Sequence, residues 1–93
     1  MPTSYHPKTD AHARAQYVIA GTLYLMSCFV QHRLPLYAER IAKNLQLLGG
    51  DRSLTAEMRT LCERLANRWD RICADAARQV VVAGPPADVR ALH

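Results

Sequence analysis

Between Arg14 and Arg33 the chain carries no formally charged side chain when His32 is neutral. The centre of this segment, Tyr17-Val18-Ile19-Ala20-Gly21-Thr22-Leu23-Tyr24-Leu25-Met26-Ser27-Cys28-Phe29-Val30, is apolar on nearly every side of a helical wheel. A surface helix of a small globular domain needs one apolar stripe, whereas a helix that is hydrophobic all round is expected to be buried all round. A chain of 93 residues has few other elements with which to surround it. The segment therefore calls for a partner: a second copy, another protein or a lipid surface.

The lipid reading is limited by length. About 14 residues of helix span roughly 21 Å, short of the ~30 Å hydrocarbon core. Gly21, Thr22, Ser27 and two tyrosines dilute the run further, so no membrane span is expected. The alternative is a lipoprotein signal. Arg14 precedes the run, and Leu25-Met26-Ser27-Cys28 has the outline of a lipobox. Against it, the leading segment is long and contains Asp10, and Met26 and Phe29 are bulky for their positions. A cytoplasmic protein is the expectation, with lipidation at Cys28 as the alternative.

The length corresponds to one domain. A hydrophobic fraction of 49% is enough for a core and argues against wholesale disorder. Ala, Leu and Arg dominate and long runs of Val, Ile and Thr are missing, which favours helix over strand. Twelve Lys and Arg against eight Asp and Glu leave a net charge of +4, a mildly basic balance that by itself does not define a nucleic-acid binder. Cys28, Cys62 and Cys73 are odd in number and form no C-x-x-C. Cys62 and Cys73 lie about three helical turns apart, roughly 16 Å along one helix, too far for a disulfide or a shared metal. All three are read as small buried hydrophobes of a reducing compartment.

Along the chain, residues 1–9 contain two prolines and no periodicity and are expected to form a loose arm. Thr9 or Asp10 is positioned to cap a helix over residues 10–32. Leu34-Pro35 ends it, and Pro35 suits the first turn of a second helix over 35–48. That helix has one stripe, Leu34, Ala38, Ile41, Ala42, Leu45 and Leu48. Gly49-Gly50 is expected to supply a left-handed C-cap, and Ser53 or Thr55 to cap a third helix over 54–79. Its apolar positions, Leu54, Met58, Leu61, Cys62, Leu65, Trp69, Ile72, Cys73 and Ala76, recur at steps of three and four. Val80-Val81-Val82-Ala83 reads as a last frayed turn or as a strand-like segment. Residues 83–93 are expected to form a flexible tail. The short link between the second and third helices favours an antiparallel hairpin.

No residue pattern points to catalysis or to a cofactor. His6, His12, His32 and His93 are scattered, and no three or four metal ligands converge. No phosphate-binding glycine loop is present. Cys28 and His32 are the one local Cys/His pair, but apolar neighbours blunt a thiol at Cys28. Arg64, Arg68, Arg71 and Arg78 recur at helical spacing and could track phosphates, yet Glu57, Glu63, Asp70 and Asp75 are interleaved with them. Trp69 lies on the apolar stripe of the third helix as a core anchor. Tyr17 and Tyr24 stack on one side of the first helix near Gly21, where a small residue lets another helix approach.

From Leu34 to Trp69, with the Gly49-Gly50 break and the stretch Leu61-Cys62-Glu63-Arg64-Leu65, the chain resembles short all-helical hypothetical proteins of proteobacterial genomes. The resemblance implies no activity, cofactor or site. The expected fold is an all-α three-helix bundle, residues 10–82 forming the domain. One face of the first helix is expected to pack on the stripes of the other two. The expected function is a small interaction or adaptor protein, homodimeric through Tyr17, Gly21, Tyr24, Leu25 and Cys28. The alternative is a small dimeric nucleic-acid-binding regulator using the arginine face of the third helix.

Overall fold

Two prolines set the starts of the first two helices. In the computed structural model, which describes residues 7–83, α1 runs Pro7–Gln31, α2 Pro35–Gly49 and α3 Ala56–Ala83. Proline has no N–H to lose in a first helical turn, and its fixed φ suits that position. α1 accordingly starts at Pro7, ahead of the Thr9 or Asp10 cap that the sequence suggests. Residues 1–6 of the expected arm and residues 84–93 of the expected tail lie outside the described residues. Leu34, extended at φ −78° and ψ 131°, precedes Pro35 and enters α2 without a side-chain cap. Among the described residues there are three helices and no strand, an all-α three-helix fold.

The turn between α2 and α3 departs from expectation in one respect. Gly50 closes α2 at φ −98° and ψ 3°, and no described glycine has a positive φ, so the left-handed cap is absent. The Gly50 N–H instead donates to the carbonyls of Gln46 and Leu47, and the Asp51 N–H to that of Leu48. A Cβ at Gly49 would lie 2.7 Å from Cγ of the exposed Glu63, which would have to turn aside, and at an ordinary contact distance of 3.6 Å from the Arg59 carbonyl, so α2 and α3 run close at this turn. Asp51 Oδ1 accepts from the Ser53 N–H at 2.9 Å and the Ser53 hydroxyl at 2.7 Å. Thr55 Oγ1 accepts from the Met58 N–H at 3.1 Å, so Thr55 is the cap of α3. The valine run is settled as helix, because α3 continues to Ala83. Extending an existing helix gains a hydrogen bond per residue, whereas a new element would need its own nucleus.

α2 is the shared partner. Ala38, Ile41, Ala42, Leu45, Leu48 and Gly49 are buried, Ile41 completely. α2 packs on both α1 and α3, while no α1 Cα comes within 8 Å of an α3 Cα. The packing of α1 on both other stripes is therefore realised at the backbone level only with α2. α1 and α3 meet through long side chains. The rings of Phe29 and Trp69 lie edge to face, centroids 5.4 Å apart and planes at 80°, and the Arg33 guanidinium sits 5.5 Å from the Phe29 centroid. Cys73 Sγ donates to the Pro35 carbonyl at 3.6 Å, tying α3 to the start of α2.

Two expected outcomes follow. Ile41→Ala removes the most enclosed side chain and should lower unfolding free energy by about 2–5 kcal/mol in denaturant titration; a change under 1 kcal/mol would contradict α2 as the core. The two hydrogen bonds from Ser53 lower the Asp51 pKa below its ordinary 3.8. A lowered carboxylate contributes stability above the unfolded pKa and loses it as pH falls through the folded one. The Asp51 carboxyl signal should thus titrate below 3.8, and Ser53→Ala should move it back up.

Candidate interaction surface

α1 buries a single stripe. Ala15, Thr22 and Phe29 are buried, and Val18, Leu25 and Met26 pack against the core beside them. The Thr22 hydroxyl is satisfied inside this stripe by donating to the Val18 carbonyl at 2.7 Å. Between Arg14 and Arg33 the opposite side faces solvent without a formal charge. Tyr17 is 80% exposed, Tyr24 70%, Val30 75% and Leu23 61%, and Gln16, Ala20, Gly21, Ser27 and Gln31 lie out with them.

The residues singled out from sequence are thus divided. Tyr17, Gly21 and Tyr24 share the exposed face, roughly 20° separating the two tyrosines around the helix at about 100° per residue. Cys28 is half-buried at its edge, and Leu25 is half-buried against the core. Leu25 was not separable from its neighbours in a run where both sides are apolar. A methyl group added at Gly21 would meet nothing within 4 Å. Nothing in the protomer therefore requires glycine there, although glycine in a helix interior costs about 1 kcal/mol relative to alanine.

The arginines of α3 lie elsewhere. Arg64, Arg68, Arg71 and Arg78 are all exposed and lie on one side of α3. Asp75 stands within the row and pairs with Arg78, and Glu57 precedes it on the same side. The remaining exposed ion pairs, Arg14 with Asp10 at 2.9 Å and Lys43 with Glu39 at 3.6 Å, are solvated helical pairs of small energetic weight. Among the described residues no cluster of His, Cys, Asp and Glu could hold a metal ion, and no helix is long and apolar enough to cross a membrane. A shallow groove of about 380 Å³ lies where the start of α1 meets the end of α2, lined in part by Ala11, Arg14, Val18, Leu47 and Arg52. Sequence reasoning missed Leu47, which stands exposed beside this groove, and Leu36 on the same side of α2. Both lie among charged residues of α2 and break no periodicity.

Comparison with protein-family models, with curated proteins and with solved structures gives no match to this chain.

The thiols provide a check on packing. Cys62 is buried, and burial raises its pKa above the ordinary 9.0. Burial first, then the nearby Glu39 and Asp70 charges, raises that of Cys73. Both should react slowly with a thiol reagent at neutral pH and at full rate in denaturant, since the thiolate is the reactive form. Rapid native labelling of Cys62, located by mass spectrometry, would contradict the α2–α3 packing.

Proposed function

We propose that this chain is a small helical interaction protein that works as a homodimer, joined through the exposed face of α1 around Tyr17, Gly21 and Tyr24. The observation that carries the reading is Gly21. It stands mid-helix at a cost in helix propensity, faces open space in the protomer and lies between two exposed tyrosines. A glycine so placed serves a close approach from outside, and tyrosines flanking it supply rigid, amphipathic contact area. The uncharged stretch fits the depletion of charge at interface centres. A second copy is the favoured occupant because closed two-fold pairs are the commonest way for a soluble chain to cover such a patch. Three free cysteines support a reducing, cytoplasmic setting.

The tyrosines supply a large part of the area that an interface needs. An aromatic side chain buries about 150–250 Å². Two tyrosines per protomer, exposed as they are here, give roughly 600 Å² across a dimer, about half of the ~1,200 Å² at the lower end for specific interfaces. Ala20, Gly21, Leu23, Ser27, Val30 and Gln31 are exposed on α1 beside them.

Two substitutions test this by light scattering at micromolar concentration. Tyr24→Arg would bury an unpaired charge in the seam and should weaken association by about 30-fold or more, the scale of a hot-spot loss near 2 kcal/mol, with helicity unchanged. Leu25→Arg is a poorer probe because Leu25 packs on the core. Gly21→Leu should also dissociate the dimer while raising the melting temperature of the separated protomer, since leucine is the better helix former. A wild-type chain that is monomeric at these concentrations would sink the proposal. Binding of random duplex at low salt, lost on neutralising Arg64, Arg68 and Arg71, would favour the nucleic-acid reading instead.

A further inference from the structure

We propose that the outer side of α3 between Glu57 and Asp75 receives an acidic amphipathic helix of a partner protein. Arg64, Arg68 and Arg71 meet its carboxylates, and Leu61, Leu65 and Ile72 meet its apolar positions. This surface lies on a different helix from the Tyr17–Tyr24 face and does not depend on self-association.

Side chains three and four residues apart are neighbours on a helix, and like charges so placed destabilise it. Arg64, Arg68 and Arg71, all exposed, stack in this way along about 10 Å of α3. Three other exposed cations are paired about one turn away, Arg14 with Asp10, Lys43 with Glu39 and Arg78 with Asp75. Among the described residues no ion pair holds Arg64, Arg68 or Arg71. The nearest acids in sequence, Glu63 and Asp70, lie about 100–120° around the helix from Arg64. The protomer thus gathers three guanidinium forks, each suited to grip a carboxylate at two points, and gives them no anion.

An apolar strip runs beside the row. Leu61 is 49% exposed, and Leu65 and Ile72 are half-buried. Leu61 neighbours Arg64, Leu65 neighbours Arg68, and Ile72 stands one turn beyond Arg68. α1 does not close over the strip, since no α1 Cα comes within 8 Å of an α3 Cα. An apolar centre with a charged, wet edge is the anatomy of a protein interface. A partner helix offers apolar and acidic positions at the same steps of three and four. The arginines stay at the solvated edge of such a contact, and the net charge of +4 favours encounter with an acidic partner.

The ends of the row favour a helix over a nucleic acid. Glu57 and Asp75 stand in line with it, each within about 20° of Arg64 around α3 and about 27 Å from one another. A phosphate backbone carries charge at every step and would run onto both carboxylates. A helix of up to about five turns fits between them and can place its acids only where the arginines are.

The probe is a fluorescein-labelled helical peptide of about 18 residues made of Leu, Glu and Ala, with leucines on one stripe and glutamates beside them. Titrated with the full chain and followed by anisotropy, it should bind saturably at micromolar concentration. The double variant Arg64→Glu/Arg68→Glu should weaken binding by about tenfold or more, with helicity by circular dichroism unchanged. Raising ionic strength from about 0.05 to 0.5 M should weaken it too, and so should Leu61→Ser. A peptide with Lys in place of Glu should bind the double variant better than the wild type, a reversal that loss of fold would not produce. Absent binding, equal affinity for a scrambled peptide of the same composition, or indifference to the charge reversal overturns the proposal. Tighter binding of random duplex through the same arginines overturns it in favour of a phosphate backbone. The double variant should scatter light with the wild-type mass, so this surface and the α1 dimer fail separately.

Discussion

Everything in this fold depends on α2 being buried from two sides. It is the shortest helix, 15 residues against 25 for α1 and 28 for α3, or about 22 Å against about 37 and 42 Å. Its inner positions are small or branched, Ala38, Ile41 and Ala42, so neighbouring backbones come close on both flanks. Gly49 extends that closeness to the last turn, where a Cβ would press the Glu63 side chain aside. Because α2 lies between them, α1 and α3 do not pack backbone to backbone. They reach each other by the Phe29–Trp69 contact, and the Arg33 guanidinium lies over that pair's phenyl ring. α1 is thus left with one neighbouring helix and one buried stripe.

That arrangement explains how α1 can be apolar all round and still sit on a surface. Its buried stripe, Ala15, Val18, Thr22, Leu25, Met26 and Phe29, has ordinary helical periodicity. The periodicity is hidden because the opposite side carries residues of similar character. In α2 and α3 the polar and apolar sides differ sharply, so Ile41, Leu45 and Leu48, and likewise Cys62, Leu65 and Trp69, are readable as core from spacing alone. In α1 spacing could not tell Leu25, which packs inward, from Tyr24, which points out. Nor could it foresee that Thr22 would be buried, since a hydroxyl enters the core only when it has an acceptor, here the Val18 carbonyl one turn back.

The helix limits show the same division between what is local and what is not. Pro35 and the Gly49-Gly50 break mark the ends of α2 through backbone chemistry carried in the residues themselves. The left-handed cap expected at the glycines is absent, and Gly49 instead lies against the Glu63 side chain, a tertiary contact invisible in the local sequence. The end of α3 was ambiguous because Val80 to Ala83 has no polar partner positions from which to read a period. The helix carries through it because elongation costs less than any alternative start.

The two long helices also divide the surface chemistry between them. α3 turns Arg64, Arg68, Arg71 and Arg78 to water with Asp75 among them, a side that gains by staying solvated. α1 turns out two tyrosines, a valine and a leucine on a length without charge. Single exposed hydrophobes need no explanation, but a contiguous uncharged strip on a small chain does. Within that strip, Gly21 is the residue the protomer cannot account for. Helix propensity disfavours it, no turn needs it, and no neighbour within the chain would be displaced by a side chain. The missing Cβ leaves open space on the exposed side, with the two exposed tyrosines one turn to either side of it, and the proposed self-association rests on that juxtaposition.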